Sequence, residues 1–192
     1  MGEPGGLAVG KQLDRLDHHC RSFIALSPFV LVGTVGPGGA CDVSPRGDGP
    51  GFVPVLDEKT LAIPERPGNR RLDSLLNILE TGAVGLLFVG PGFEETLRVN
   101  GRASVVRDAD VLERTAVRGR TPAVAIGVEV EECFLHCAKA FKRSGLWMEG
   151  EWPERFAFPS LGRIFHDQGA VPGASAEDLD HRIEESYARR LY

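Results

Sequence analysis

The alternation of apolar and polar positions along this chain predicts several short strands with few helices between them. Residues 29–35 read as a buried strand that turns at Gly36-Pro37-Gly38-Gly39 and returns over 40–46. Residues 52–56 and 60–63 predict a second hairpin, closed through Asp57-Glu58-Lys59. Residues 83–89 and 96–106 predict a third around Gly90-Pro91-Gly92, and a long valine-rich strand follows at 123–135. Helical periodicity is rarer. Leu13, Leu16, Cys20, Phe23 and Ile24 recur at helical spacing, which predicts a helix over 10–26 ending near Ser27-Pro28. Leu72, Leu75, Leu76 and Leu79 stand at i, i+3, i+4 and i+7 and form one apolar stripe, with Asn69 a suitable N-cap and Gly82 a suitable stop. A short helix is predicted at 108–117 and a polar one at 178–191, while 139–147 reads as loop or strand.

This order excludes a parallel Rossmann sheet, whose strands would alternate with helices, and predicts a mainly β fold, an antiparallel barrel with flanking helices. The glycine-rich residues 1–10 are expected to be disordered, and 11–192 to form a single domain with an N-terminal helix and a C-terminal helical tail.

A chain of 192 residues is long enough to bury a substantial core. Its 42% apolar and 26% charged residues are too apolar a mixture for wholesale disorder. A net charge of −5 argues against nucleic acid as a partner. No apolar run approaches the roughly 20 residues that span a bilayer, and the first residues lack the pattern of a signal peptide. Cys20, Cys41, Cys133 and Cys137 lie too far apart, in too large a chain, to suggest a disulfide scaffold. A cytoplasmic setting without membrane association is expected.

The candidate chemistry lies in three places. The first is Arg66-Pro67-Gly68-Asn69-Arg70-Arg71 at the start of the leucine-striped helix. Acidic residues suit the first turn of a helix, and arginines there oppose its dipole by about 0.3–1 kcal/mol each. A bound phosphate reverses that conflict, because backbone N–H groups, guanidinium forks and dipole then face one anion. A solvated basic turn is the alternative. The second is Asp42-Val43-Ser44-Pro45-Arg46-Gly47-Asp48, where Ser44 and Arg46 share one strand face and could serve the same anion, or merely end an exposed strand. The third is Thr96, Arg98 and Asn100, which share a face suited to the edge of a polar ring, or to an ordinary half-exposed strand.

No metal site is expected. On a strand, Cys133 and Cys137 sit about 13 Å apart, whereas two thiolates on one zinc lie within about 4.6 Å. His136 would point to the opposite face. His18-His19-Cys20 has no triad partner, and neither a P-loop, a dinucleotide fingerprint nor a Gly-x-Ser-x-Gly elbow is present.

Taken in order, these segments resemble the pyridoxamine 5′-phosphate oxidase-like FMN-binding split barrels, and most closely a bacterial flavoprotein branch of them. The stretches that carry the likeness are Asp42–Asp48 as written above, Ile63-Pro64-Glu65 running into Arg66–Leu75, Glu95-Thr96-Leu97-Arg98-Val99-Asn100-Gly101-Arg102-Ala103, and Lys139-Ala140-Phe141-Lys142-Arg143-Ser144-Gly145-Leu146-Trp147. The resemblance implies a six-stranded split barrel and a homodimer with two FMN molecules at the subunit interface. It implies Arg70 and Arg71 as phosphate ligands, assisted by Ser44 or Arg46, with Pro64 and Glu65 beside the isoalloxazine. Thr96 would approach the pyrimidine edge. Residues 139–147 would come from the partner chain, with Trp147 near the ring and Lys142 or Arg143 near its polar atoms. Asn69, Arg98 and Lys139 complete the implied cofactor-binding set. An FMN-dependent oxidoreductase acting on a small-molecule substrate or electron donor is the implied activity. A non-catalytic flavin carrier or sensor, or a barrel using F420 or haem, is the alternative. The Arg-x-His element by which the true oxidases recognise substrate phosphate is missing near the C-terminus, so vitamin B6 phosphate is not the expected substrate.

Overall fold

A computed structural model describes Gly2 and residues 5–192, apart from the side chains of Leu7 and Ala8. Of the segment predicted to be disordered, Met1, Glu3 and Pro4 lie outside the described residues, and Gly6–Gly10 forms a single helical turn, α1. The chain divides into two compact units. The first comprises residues 1–65 and 71–147, and the second residues 66–70 and 148–192.

The first unit is built on one six-stranded antiparallel sheet that curls into a split barrel. Its strands are β1 (Phe29–Val35), β2 (Cys41–Gly47), β3 (Thr60–Pro64), β4 (Ala83–Val89), β5 (Thr96–Val106) and β6 (Ala125–His136), in the spatial order β2-β1-β4-β5-β6-β3. The alternation in the sequence sets the faces. Val30 and Val32 of β1, Leu86 and Phe88 of β4, Leu97 and Val99 of β5, and Ile126 and Val128 of β6 all turn inward and are essentially inaccessible. The predicted hairpin at 52–63 is reduced to a single bridge between Val55 and Leu61 ahead of β3.

β5 and β6 are out of simple register. Asn100 opposes Glu132 and Gly101 opposes Val130, so Glu131 is an extra residue that makes a β-bulge. The bulge reverses the facing of β6. Ile126, Val128 and Val130 point into the core before it, and Cys133 does so after it. Glu132 and Phe134 are thereby placed opposite Asn100 and Arg98 on the other face.

The helices differ from expectation at their ends. The helix predicted over 10–26 is confined to α2 (His18–Leu26), because the Asp17 carboxylate accepts the Cys20 N–H at 2.8 Å and starts it there. Upstream, Leu13 exchanges backbone hydrogen bonds with Cys133 at 3.0 and 2.8 Å, so this stretch is an extended strap across β6. The leucine-striped helix is α3 (Asp73–Thr81), closed by Gly82 at φ 65° as expected. Asn69 is not its cap; that position is Leu72, whose side chain accepts no capping bond. The helix predicted at 108–117 is α4 (Ala109–Arg114), capped by the Asp108 carboxylate. Residues 139–147 form a helix rather than a loop or strand, α5 (Lys139–Ser144), ended by Gly145 in the left-handed region.

In the second unit, α6 (Leu161–Asp167) packs on α7 (Ala176–Arg189), the predicted C-terminal helix. A Cβ on Gly162 would lie 2.4 Å from the Ala176 carbonyl oxygen, so only glycine allows this approach. Asp180 accepts the Ser160 hydroxyl at 2.6 Å and the Gly162 N–H at 2.7 Å. The Ser160 hydroxyl bond, then the Gly162 N–H bond, hold its pKa below the ordinary 3.8. A depressed carboxyl stabilises the fold above its ordinary value and loses that contribution as pH falls through the lower, folded value. Hydrogen-exchange protection at the start of α6 is therefore expected to fall as pH drops below 3.8. In Asp180→Ala it should be low and flat across that range; a variant with native protection and native pH dependence would remove Asp180 from this role.

Candidate functional site

Strand pleating puts Asp42, Ser44 and Arg46 on one face of β2, paired with Thr34, Val32 and Val30 of β1. That is the inward face. Because β2 is an edge strand, its polar side chains lie at the margin of the core, under the first turn of α3. There they form a directed chain. Ser74 Oγ donates to Asp42 Oδ2 at 2.6 Å, which commits its only hydrogen. Ser44 Oγ, 2.9 Å away, must therefore donate to Ser74, and Ser44 in turn accepts from Arg46 Nη1 at 2.9 Å. Arg46 Nε donates to Glu65 Oε2 at 3.1 Å, just past the end of β3. The Arg46 and Glu65 side chains are only 15% and 22% exposed, so removing either partner leaves the other charge poorly solvated. Pro64 is buried beside them, and Glu65 N–H bonds the Val124 carbonyl.

Arg71 is exposed and donates from Nε to Asp73 at 2.9 Å, which supplies the acidic first-turn charge of α3. Asn69 and Arg70 fall in the second unit and are also exposed. Arg70 has φ 61°, a left-handed conformation that costs a non-glycine residue roughly 1 kcal/mol.

A second polar group lies on the opposite face of the sheet. Thr96, Arg98 and Asn100 share that face, as the alternation of β5 predicts. Arg98 Nη2 and Asn100 Nδ2 both donate to Glu132 Oε1, the latter at 3.1 Å. Phe134 is flanked by Arg98, 4.2 Å from its ring centre, and by Lys11, at 4.7 Å. Arg98 Nε is buried and has no hydrogen-bond partner among the described residues. The His136 ring lies tilted against Phe134, 4.9 Å between ring centres, and burial first, then the charges of Arg98 and Lys11, depress its pKa. This face also bears a groove of about 340 Å³ whose lining includes Gly33, Val35, Val43, Ala83, Gly85 and Asn100. Val43 beside it is 66% exposed.

The third group is built by α5 and the β4–β5 turn. Trp147 Nε1 donates to the Phe93 carbonyl at 2.7 Å, and its ring stacks on Phe141. Lys142 Nζ pairs with Glu94 at 2.6 Å, which raises the lysine pKa. Lys139 opens α5, and its backbone N–H is the main cause of a depressed pKa at the exposed Cys137 thiol. Arg143 is exposed on α5.

The structure therefore brings Ser44, Arg46 and Glu65 together, and Thr96 with Arg98, but places these two sets on opposite faces of one sheet. Sequence reasoning missed Asp42 and Ser74 as members of the first set, and Glu132, Phe134 and Lys11 as members of the second. A buried serine one residue into an otherwise leucine-striped helix was the available signal for Ser74. The others are assembled by strand pairing and leave no local trace.

Among the described residues no helix is long and apolar enough to cross a membrane. A family model described as pyridoxamine 5′-phosphate oxidase matches residues 16–137. No curated protein sequence matches the chain. Among solved structures, the fold is similar to a Group A Streptococcus HupZ variant, at 18% identity and a TM-score of 0.52, over 63% of this chain and 99% of that one. It is also similar to a putative pyridoxamine 5′-phosphate oxidase from Lactobacillus delbrueckii, at 23% identity and a TM-score of 0.50, over 65% and 98%.

Proposed function

The chain belongs to the pyridoxamine 5′-phosphate oxidase family, and on that premise we propose that it is a flavoprotein which binds FMN and acts as an FMN-dependent oxidoreductase. The observation that carries this reading is the convergence of Arg46, Ser44 and Ser74 at the first turn of α3. A guanidinium, two hydroxyls and a helix N-terminus are the donor set that a phosphate monoester needs. Arg71, one turn before Ser74 on the same approach, adds a second cation. To accept the phosphate, Ser44 and Ser74 turn their hydroxyl hydrogens away from the chain that ends on Asp42. Arg98, with its orphaned Nε, and Thr96 suit the carbonyl edge of a flavin ring. Since the two sets lie on opposite faces, one flavin meets both only if two protomers contribute, which supports a homodimer. Lys139, Lys142, Arg143 and Trp147 would then approach the ring from the partner. When bound, FMN supplies two-electron redox chemistry, and the protein supplies position, electrostatics and exclusion of water.

Purified protein is expected to carry, or to take up, FMN, with the flavin absorbance bands visible and the extracted cofactor identified by mass spectrometry. Colourless protein that does not respond to added FMN would refute the assignment; extracted F420 or haem would redirect it. Turnover of NADH or NADPH separates an oxidoreductase from a flavin carrier.

A further inference from the structure

Cys20 and Cys133 stand 113 positions apart in the chain and meet in the core, with their sulfurs 3.9 Å apart. Cys20 comes from α2 and Cys133 from β6, where the bulge has turned it inward. Their side chains are buried at 3% and 0% exposure. The Cys133 thiol also donates to the Arg15 carbonyl at 3.1 Å, beneath the extended strap that precedes α2. We propose that Cys20 and Cys133 form a peroxide-responsive dithiol, which closes into a disulfide linking α2 to β6. This does not depend on the flavin assignment.

The geometry favours closure within the folded chain. The sulfurs need to approach by about 1.9 Å to reach bonding distance, a shift that χ1 rotation and a small movement of α2 can supply. The Cys20 S–H points at Cys133, which raises the Cys20 pKa and lowers that of Cys133. Cys133, the sulfur that lies directly beneath the strap and receives the Cys20 S–H, is the one placed to react first. One peroxide molecule oxidises it to a sulfenic acid and releases water. Cys20 sulfur then attacks the sulfenic sulfur, the S–S bond forms, and the displaced hydroxide leaves as a second water with the Cys20 proton. Two thiols lose two electrons and the peroxide gains two. Access is through the strap, which is held by the Leu13–Cys133 backbone pair and by Leu16 N–H on the Glu58 carbonyl at 2.7 Å. Reaction is accordingly slower than at the exposed Cys41 and Cys137.

The test treats the full-length protein, as purified, with hydrogen peroxide, blocks remaining thiols under denaturing conditions, and maps peptides by mass spectrometry. The expected result is a Cys20–Cys133 linked peptide, absent after dithiothreitol and absent in Cys20→Ser. The linked protein should also melt several degrees above the reduced form, because a cross-link closing so long a loop restricts the unfolded chain. Recovery of Cys20 and Cys133 in separate, unlinked peptides while Cys41 and Cys137 are oxidised would overturn the proposal. So would a linked form that melts no higher than the reduced one, since that bridge would have formed outside the native geometry.

Discussion

Gly101→Ala is expected to destabilise the first unit by about 3 kcal/mol, the upper end of the usual cost of overpacking. For a chain of this size that corresponds to a fall in Tm of roughly 6–12 °C. A Cβ at this position would lie 1.9 Å from the Glu129 carbonyl oxygen and 3.0 Å from its carbonyl carbon, both backbone atoms of the paired strand. No rotamer change relieves that contact. β6 must retreat or the bulge must be rebuilt, and loss of the bulge would turn Glu132 toward the core and Cys133 away from it. Gly127→Ala is the control. Its added Cβ meets Val106 Cγ2 at 2.7 Å, the end of a side chain that can yield, and a smaller loss is expected. Denaturant unfolding of the two variants measures the difference. A Gly101→Ala protein within about 0.5 kcal/mol of wild type would show that the β5–β6 register is not as described.

Arg46→Ala is expected to weaken FMN binding by roughly 10- to 150-fold, the loss of a charge-assisted contact worth about 1.5–3 kcal/mol. The substitution also leaves Glu65 unpaired, so the protein itself should become less stable. Two companions separate these effects. Glu65→Gln removes the ion pair but keeps the guanidinium, and should retain most of the affinity. Arg46→Lys keeps the charge but loses the fork that reaches Ser44 and Glu65 together, and should lie between wild type and Arg46→Ala. Flavin fluorescence titration of folded protein reads all three. Equal affinity in Arg46→Ala and wild type would remove Arg46 from the phosphate site, whatever the fate of its ion pair.

Much of the candidate site could be read in the chain because it obeys strand periodicity. Ser44 and Arg46 share a face and bond each other. Arg98 and Asn100 share another and converge on Glu132. Helix boundaries were less legible. The spacing of Leu13 and Leu16 suits a helix, yet their burial is achieved by a strap hydrogen-bonded to β6, and the Asp17 cap starts α2 only afterwards. In the same way, the apolar positions of 139–147 fit a short helix whose aromatic end folds back on Phe93, a contact 54 positions distant in sequence.

By itself the sequence determined the six strands of the sheet, though not the 52–56 strand it also predicted, together with the leucine-striped helix and its glycine stop, the mainly antiparallel architecture and the pairing of residues within each strand face. These follow from local alternation, turn chemistry and capping, which neighbouring residues specify. Only the tertiary structure decided which faces meet. It joined Asp42 and Glu65 to the Ser44–Arg46 cluster, set Thr96 and Arg98 on the opposite side of the sheet, and brought Cys20 against Cys133. The physical reason is that inter-strand register is fixed by burial across the whole sheet rather than by any short stretch of chain; for Cys133 it is the β5–β6 register, where one extra residue, Glu131, reverses the facing of the remainder of β6.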